Sequence, residues 1–558
     1  MVTAIRKVEG KPILLFLFLL ALLSLVDSQL GHAQSPQLAQ QIQQHYLKGS
    51  ELLQRGDLQD AERELNQVTT LAPKLPEPYY LLAKVSIARG FVDGAEPLLL
   101  KAIQLKPDFA EAHHTLGGIY LQRKDYARAR DAFEKTLRWN PGYALAHVNL
   151  GTTFVGLKQS TQAIKHFQTA IQLAPQASPT LFLASYELGS LYYAQRDYLA
   201  ALSYFVQARS LNPSYPELLL SLTDVYLKLN RSAEASSLLT EIEAMASTNP
   251  LLRGPLGLLL TENGRYLEGV KQLEAARKSH PSSSFEVLYG LGTAYGELKR
   301  YPEAVAAFSE AIRIRPDHAK AYFLQGQVYA QQGDPRAVEL LRQAVVLDPS
   351  LDSAWEALAE QLFQGRASPE VLNLFQGYVK RFPEKPLAHL LLGEAWLHQQ
   401  RLPEALTQFQ RAVALDQSLA RAHVSLGFVY MELTEPEKAR ESFQEALRAD
   451  PDHVLANFYL ADLLSQTQDT QPALEFMSRT IELRPDYVDA YFERGKLYLR
   501  RQQFQEAVKD LLKVVELKPD RAQAQYLLGR AYQGWGKRDE ANHAYQRFAD
   551  LKKNPPKE

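Results

Sequence analysis

Apolar and small residues return along the chain in paired amphipathic segments, and the whole pattern repeats every 34 residues. Proline marks the period at Pro73, Pro107, Pro141 and Pro175, and the same spacing resumes from Pro349 onward. A period of this length is typical of solenoids, in which each repeat is one supersecondary unit. The pattern therefore predicts a stack of similar units instead of several unrelated globular domains.

One repeat, residues 110–141, shows what each segment encodes. Its first half carries one apolar face at helical spacing, formed by His113, Leu116, Gly117 and Tyr120. A polar turn at 124–126 precedes a second face, formed by Ala129, Ala132, Phe133 and Leu137. We expect Gly117 and Ala129 to lie where the two helices cross, with Tyr120 and Phe133 filling the space on either side. Pro141 ends the second helix because it lacks an N–H group.

Counting the recurrent proline as position 32 divides the chain into fifteen repeats. They begin near Ile42, Pro76, Ala110, Ala144, Phe182, Pro216, Pro250, Phe285, Ala319, Asp352, Pro386, Ala420, Val454, Val488 and Ala522. Position 8 is Gly in eleven repeats, position 20 is Ala in thirteen and position 11 is aromatic in ten. This pattern resembles the tetratricopeptide repeat over about residues 42–553. The resemblance implies an all-α, right-handed superhelical solenoid of stacked helix–turn–helix repeats, in which the first helices line a concave groove.

The spacing breaks at three places: an insertion of four residues at 176–180, three extra residues near 247–250, and one missing residue near 333–335. In a stack held by nearest-neighbour contacts, such breaks are places where the stack bends or frays. We therefore predict an N-terminal repeat block at 42–177, an irregular middle block at 178–249 and a C-terminal block at 250–553. Residues 34–41 form a lead-in and residues 554–558 a tail.

The N-terminal segment has the order of a secretory signal peptide. Basic residues at Arg6, Lys7 and Lys11 precede an apolar run from Ile13 to Val26, and Gly31-x-Ala33 supplies a small-x-small cleavage pattern. The run is shorter than the roughly 20 residues that a membrane-spanning helix needs. We expect cleavage after Ala33 and an exported, periplasmic or secreted protein, with an uncleaved N-terminal anchor as the alternative.

Composition and motifs argue against an enzyme. Lysine and arginine total 62 against 63 acidic residues, so no excess of positive charge favours nucleic acid. The absence of cysteine excludes disulfides, thiolate metal sites and a cysteine nucleophile. No zinc-protease, hydrolase or phosphate-loop motif occurs, and we expect no metal or cofactor. Glycosyltransferases with similar repeats carry an asparagine ladder at position 6, whereas here Asn149 is the single example.

The family resemblance assigns positions 2, 5, 9, 12 and 13 of each first helix to the binding groove. At positions 9 and 13 acidic residues come first, namely Asp224, Glu262, Glu297, Glu360, Glu394, Glu432 and Asp462, and basic residues follow, namely Lys496, Arg500 and Arg530. Position 5 is aromatic in eight repeats: Tyr46, Tyr80, Tyr186, Tyr289, Phe323, Phe458, Phe492 and Tyr526. Aromatic side chains suit both a binding surface and packing between neighbouring helices.

These features predict an exported, non-enzymatic scaffold that binds a partner protein or peptide, with a role in cell-envelope assembly or secretion. Two alternatives are the substrate-recruiting arm of a glycosyltransferase-like complex and a polymer-binding solenoid. In the last repeat, Ala541, Tyr545, Phe548 and Leu551 lie on the second helix, where no further repeat follows. They either pack against their own repeat or mediate self-association.

Overall fold

The protein is described by a computed structural model that covers residues 35–279, 284–364, 369–466 and 470–553. Within these ranges the regular structure consists of α-helices and one short 3₁₀ turn, with no strand. The predicted signal segment 1–33, the tail 554–558 and the recurrent proline at Pro281 lie outside the described residues. The all-α class predicted from the sequence is confirmed.

The chain divides into an N-terminal unit, Met1–Ala294, and a C-terminal unit, Tyr295–Glu558. The helices of repeats 1 to 7 are α1 Ser35–Arg55, α2 Leu58–Leu71, α3 Pro76–Ala88, α4 Val92–Leu105, α5 Ala110–Gln122, α6 Tyr126–Trp139, α7 Ala144–Gly156, α8 Ser160–Leu173, α9 Pro179–Ala194, α10 Tyr198–Leu211, α11 Pro216–Lys228, α12 Ser232–Thr248, α13 Arg253–Glu262 and α14 Tyr266–Ser279.

The helices of repeats 8 to 15 are α15 Phe285–Glu297, α16 Tyr301–Ile314, α17 Ala319–Gln331, α18 Arg336–Leu347, α19 Asp352–Phe363, α20 Pro369–Arg381, α21 Pro386–His398, α22 Leu402–Leu415, α23 Ala420–Glu432, α24 Pro436–Ala449, α25 Val454–Ser465, α26 Gln471–Leu483, α27 Val488–Arg500, α28 Phe504–Leu517, α29 Ala522–Gly534 and α30 Arg538–Lys553. Odd-numbered helices are therefore the first helices of the repeats, and even-numbered helices are the second.

Glycine at position 8 makes room for the side chain at position 24 of the same repeat, which is an aromatic ring in most of these repeats and leucine in others. A Cβ atom added to Gly117 would lie 2.7 Å from Cε1 of Phe133, and one added to Gly427 would lie 2.5 Å from Cε1 of Phe443. Both rings are fully buried. The sequence analysis expected Gly117 to approach Ala129, whereas the group that occupies its space is Phe133. Glycine is required because the ring packs directly against the helix backbone.

The turn between the two helices of a repeat contains a residue in the left-handed conformation at position 15. Gly56, Gly90, Gly264, Gly333 and Gly536 supply it in five repeats. Longer side chains supply it in eight others: Lys124, Lys158, Arg196, Asn230, Lys299, Gln400, Thr434 and Gln502, with φ between 56° and 62°. Left-handed backbone costs least at glycine, so these eight positions store strain in the turn.

A donor at position 4 joins each of several repeats to the one before it. The acceptor is the backbone carbonyl at the recurrent proline position, as in the contact of 3.0 Å from Trp355 Nε1 to Pro349. The other residues that make this contact are Tyr79, His113, His147, His389, His423 and Asn457. The histidine contacts assign the proton to Nε2, since a carbonyl oxygen only accepts.

The three breaks in sequence spacing have structural counterparts. The insertion at 176–180 adds a loop with Ala177 at φ 57° and lengthens α9, which begins at Pro179, to 16 residues. The extra residues near 247–250 lengthen α12 to 17 residues and add a 3₁₀ turn at Pro250–Leu252. The missing residue near 333–335 shortens α18 to 12 residues. The block boundaries near 178 and 249 stay predictions.

Candidate binding surface

First helices of adjacent repeats form a continuous surface in the C-terminal unit, and we call positions 2, 5, 9 and 13 of these helices the A-face. The Arg500 guanidinium of α27 donates to the Ser465 carbonyl of α25 at 2.7 Å. Arg421 of α23 reaches Glu394 of α21 and Glu356 of α19. Contacts of this kind bring side chains of successive repeats together on one surface.

Arg421 neutralises the centre of the predicted acidic series. Its Nε and Nη2 atoms donate to the two carboxylate oxygens of Glu394 at 2.8 and 2.7 Å. Its Nη1 atom lies 3.7 Å from Glu356. Despite this partner, burial raises the pKa of Glu394. Arg421 was not among the residues predicted from the sequence, although it occupies position 2, which the family resemblance assigns to the groove.

Two other predicted acidic residues remain available. Glu360 and Glu432 are exposed, and neither has a hydrogen bond or ion pair within the described part of the chain. Asp462 is half-buried, and its pKa is raised by burial and by the neighbouring Glu493 carboxylate. The Lys496 ammonium partly offsets the raised pKa of Asp462. Negative charge therefore persists on the A-face between α19 and α25.

The predicted basic end is largely engaged in internal contacts. Lys496 pairs with Glu493 at 2.5 Å and lies 5.6 Å from the centroid of the Phe492 ring. Arg500 is held by the Ser465 carbonyl. Arg530 is exposed and has no ion pair within the described residues. Of the three predicted cations, Arg530 is thus the one that keeps its charge free.

The predicted aromatic residues at position 5 pack mainly between repeats. Phe458 and Phe492 are buried, and Phe323 is half-buried against the core around Trp355. Tyr289 is half-buried and stacks on Phe285 at 5.5 Å. Tyr526 is the exposed member. These residues do not form one exposed aromatic stripe, because neighbouring helices cover most of each ring.

Aromatic side chains at other positions of the first helices are more accessible than those at position 5. Phe363 stacks on His398 with centroids 4.6 Å apart, and Phe428 meets Tyr459 edge to face at 4.4 Å. Phe363, Phe428 and Tyr459 are half-buried and His398 is exposed, and all four lie among Glu360, Glu394, Glu432 and Asp462 in sequence. The sequence analysis missed this cluster because its members occupy positions 6, 9, 12 and 13, and no single position repeats.

In the N-terminal unit, the predicted acidic residue Asp224 is part of an internal network. It is 6% exposed and accepts hydrogen bonds from the Tyr193 hydroxyl and, at 2.7 Å, from Nδ2 of Asn263. Lys228 Nζ lies 3.9 Å away. The Asp224 carboxylate raises the pKa of Tyr193, after burial as the larger cause. Glu262 and Glu297, in contrast, are exposed.

The apolar residues of the last helix pack against their own repeat. Tyr545 fills the space beside Gly529 and donates to the Gln533 side chain at 3.0 Å. Phe548 lies 5.4 Å from the Tyr526 ring. Ala541 is buried and Leu551 half-buried. Internal packing of the terminal helix is therefore the arrangement found, and self-association through it stays a prediction.

A polar cavity of about 270 Å³ lies at the loops before α27 and α29 and is lined by Arg484, Asp486, Tyr487, Val488, Asp489, Lys518 and Arg521. Arg521 pairs with Asp489 at 2.6 Å, and Arg484 lies 3.5 Å from Asp486. Two of the three cations in this cavity are thus already neutralised. Most of the charged side chains that line this cavity are therefore paired with one another.

Two features of the described residues bear on other function classes. No group of three or more His, Asp or Glu side chains is arranged to hold a metal ion in the ranges that the structure covers. Between residues 35 and 553, leaving out the gaps named above, no helix combines the length and hydropathy needed to cross a bilayer.

Comparison with known proteins identifies relatives of the repeats. Models described as tetratricopeptide repeat match residues 110–143, 144–176, 192–254, 255–318, 289–352, 372–420, 425–488 and 522–555, and one described as TPR repeat matches 495–536. Residues 33–124 match the second ARM domain of tetratricopeptide repeat protein 21. The human protein O-mannosyl-transferase TMTC2 is 34% identical over 98 residues, which are 17% of this chain and 12% of that protein.

Among solved structures, the Cut9–Hcn1 hetero-tetramer of the APC/C is 16% identical, with 88% of this chain and 97% of that chain covered and a TM-score of 0.37. Yeast Tom70 is 20% identical, with 74% and 92% covered and a TM-score of 0.35. YrrB, described as a TPR protein with an unusual peptide-binding site, is 23% identical, with 34% and 95% covered and a TM-score of 0.31. With its matching models and its tandem helix–turn–helix repeats, this chain belongs to the tetratricopeptide-repeat family.

Proposed function

We propose that this protein is a non-enzymatic scaffold that binds a partner protein or peptide on the A-face of its C-terminal unit. The observation that carries the proposal is the pair Glu360 on α19 and Glu432 on α23, which are exposed carboxylates without a partner among the described residues. Charged side chains that a fold does not use are available for recognition, since electrostatic complementarity sets specificity and association rate.

We further propose that the scaffold works outside the cytoplasm, in envelope assembly or secretion. The basic segment, apolar run and Gly31-x-Ala33 pattern of the N-terminus support export. The N-terminal sequence of the protein recovered from its native compartment tests this idea. A chain beginning at Gln34 supports export with cleavage, and a chain that keeps residues 1–33 in the cytosolic fraction contradicts it.

Photo-crosslinking tests the binding surface directly. A photo-crosslinking amino acid in place of Glu360 or Glu432 should capture a discrete partner protein in the native extract. The matched controls carry the same group in place of Glu370 or Glu441, which are exposed on second helices. Equal capture from both sets of positions would contradict an A-face site, and capture of no protein from any position would contradict the scaffold.

A second candidate function is the recruiting arm of a glycosyltransferase complex, which the similarity to TMTC2 favours. In that case the partner captured from position 360 or 432 would itself be a glycosyltransferase or its substrate. Polymer binding has less support, because Phe458 and Phe492 of the predicted stripe are buried. Identification of the crosslinked chain separates the scaffold from the arm.

A further inference from the structure

The A-face of α19, α21, α23 and α25 combines half-buried aromatic rings with an excess of negative charge. We infer that it binds an extended cationic segment of the partner, whose lysine or arginine side chains meet Glu360, Glu432 and Asp462 while its apolar side chains contact Phe363 and Phe428. This inference rests on the proposed scaffold function and adds the chemical class of the ligand.

The charge of this surface follows from its composition. Positions 2, 5, 9 and 13 of the four helices contain five carboxylates, namely Glu356, Glu360, Glu394, Glu432 and Asp462. The permanent cation at these positions is Arg421, which is bound to Glu394 at 2.7 and 2.8 Å. A partner must therefore supply positive charge to neutralise this surface.

The electrostatic environment agrees with this assignment. Burial raises the pKa of Glu394 even though Arg421 lowers it, and burial together with Glu493 raises the pKa of Asp462. Both carboxylates are thus held in surroundings that disfavour their charged form. An additional cation at this surface would reverse that effect, which is a source of binding free energy that a neutral ligand does not have.

The aromatic cluster explains why the ligand must also be apolar. Phe363 with His398, and Phe428 with Tyr459, form ring pairs on the same four helices that carry the carboxylates. Aromatic groups of this kind contribute contact area and accept cations on their faces. Neighbouring helices pack about 8–10 Å apart, and an extended chain covers about 3.3 Å per residue. A segment of about ten residues therefore spans the four helices.

The probe is a fluorescent, amidated peptide of about ten residues that alternates Lys with Leu and Phe, beside two isosteres with Gln or Glu in place of Lys. The protein is the chain from residue 34 to 558. We expect the Lys peptide to bind at least about tenfold more tightly than the Gln peptide, and the Glu peptide to bind most weakly. Its affinity should fall as salt rises, since exposed charges are screened.

Matched variants locate the site. E360Q/E432Q should weaken binding of the Lys peptide about tenfold, whereas E370Q/E441Q, with the same change of charge on second helices, should leave it within about twofold. R421Q should strengthen binding, because it releases Glu394 and Glu356. Far-ultraviolet circular dichroism confirms that each variant keeps its helices.

Three outcomes would overturn the inference: preference for the Glu peptide, equal losses in both double variants, or weaker binding by R421Q. These results are distinguishable from failure of the scaffold proposal. If photo-crosslinking from positions 360 and 432 captures a partner while the Lys peptide shows no preference, the scaffold stands and the cationic ligand is wrong.

Discussion

Position 9 of the repeat carries an acidic side chain in both units, in opposite surroundings. Asp224 in the N-terminal unit is buried and accepts hydrogen bonds from Tyr193 and Asn263. Glu360 in the C-terminal unit is exposed and has no partner among the described residues. The same repeat position therefore serves the fold at Asp224 and holds a carboxylate without a partner among the described residues at Glu360.

The difference comes from the neighbours and not from the acidic residue itself. Tyr193 is at position 12 of the repeat before Asp224, and Asn263 is at position 14 of the repeat after it. At position 12 of the repeat before Glu360 stands Ala330, which has no donor side chain. Acidic residues in a repeat surface are thus informative about function only after their donors in adjacent repeats have been counted.

Alanine substitutions of Asp224 and Glu360 test this comparison, and D224A has the largest expected effect. D224A should lower the free energy of unfolding by about 3 kcal/mol, because the half-buried Tyr193 hydroxyl and Asn263 amide lose a buried, charged acceptor. E360A should change it by less than about 0.5 kcal/mol. Urea titration followed by circular dichroism measures both. Similar losses in the two variants would break the comparison.

Lowering the pH should weaken the N-terminal unit through His114, at position 5 of α5. Its Nε2 atom lies 2.9 Å from Nδ2 of Asn149, so the ring accepts and is neutral, and burial lowers its pKa to about 4. An unfolded histidine has a pKa near 6.5, so the unfolded chain binds the proton first as pH falls. The contribution of neutral His114 to the free energy of unfolding is fully present above about pH 6.5 and is lost as the pH falls toward 4.

Between pH 7 and pH 5 we expect the free energy that opens α5 and α7 to fall by about 2 kcal/mol. Hydrogen exchange of their backbone amides, corrected for the intrinsic pH dependence, measures it. H114Q is the control, since it removes the titrating group and should abolish the extra loss. An unchanged pH response in H114Q would assign the effect to His147 and His166, which hydrogen-bond at 3.0 Å.

Two glycines differ in whether a neighbouring side chain occupies the space that a Cβ atom would need. G427A should cost about 2 kcal/mol, because its Cβ would lie 2.5 Å from Cε1 of the buried Phe443 ring. G118A, at position 9 of α5, has nothing within 4 Å of its Cβ and should gain about 0.5–1 kcal/mol from helix propensity. Thermal unfolding gives both values, and opposite signs are the expected result.

Much of the fold could be predicted from the sequence because the repeat shows each contact many times. Alanine at position 20 is fully buried in twelve repeats, as its recurrence indicated. The partner of Gly117 was harder to identify, since spacing along two helices does not say which side chain enters the gap; the structure assigns it to Phe133.

The candidate site was less predictable because its properties depend on pairs from different repeats. The charge of Arg500 is evident in the sequence, but its hydrogen bond to the Ser465 carbonyl of the preceding repeat is not. Likewise Phe428 and Tyr459 meet across adjacent repeats from positions 9 and 6. A scan of single positions misses contacts of this type.

The turn at position 15 allows the same kind of comparison for the backbone, between repeats with glycine and repeats with a larger residue. Gly56 and Gly90 hold the left-handed conformation in the N-terminal unit, and Thr434 holds it at φ 56° in the C-terminal unit. A β-branched residue is the least suited to this conformation. T434G should therefore stabilise the protein by about 1 kcal/mol, although glycine also gains entropy in the unfolded chain.

Thermal unfolding of T434G measures this gain, and G90A is its counterpart in the other unit. Alanine at position 90 would take on the left-handed strain at φ 84°, so G90A should lose about 1 kcal/mol. Because Gly90 has nothing within 4 Å of its Cβ, the loss would come from the backbone and not from a clash. Destabilisation in both variants would show that Thr434 makes a compensating contact, so that the left-handed turn is accommodated differently at Thr434 and at Gly90.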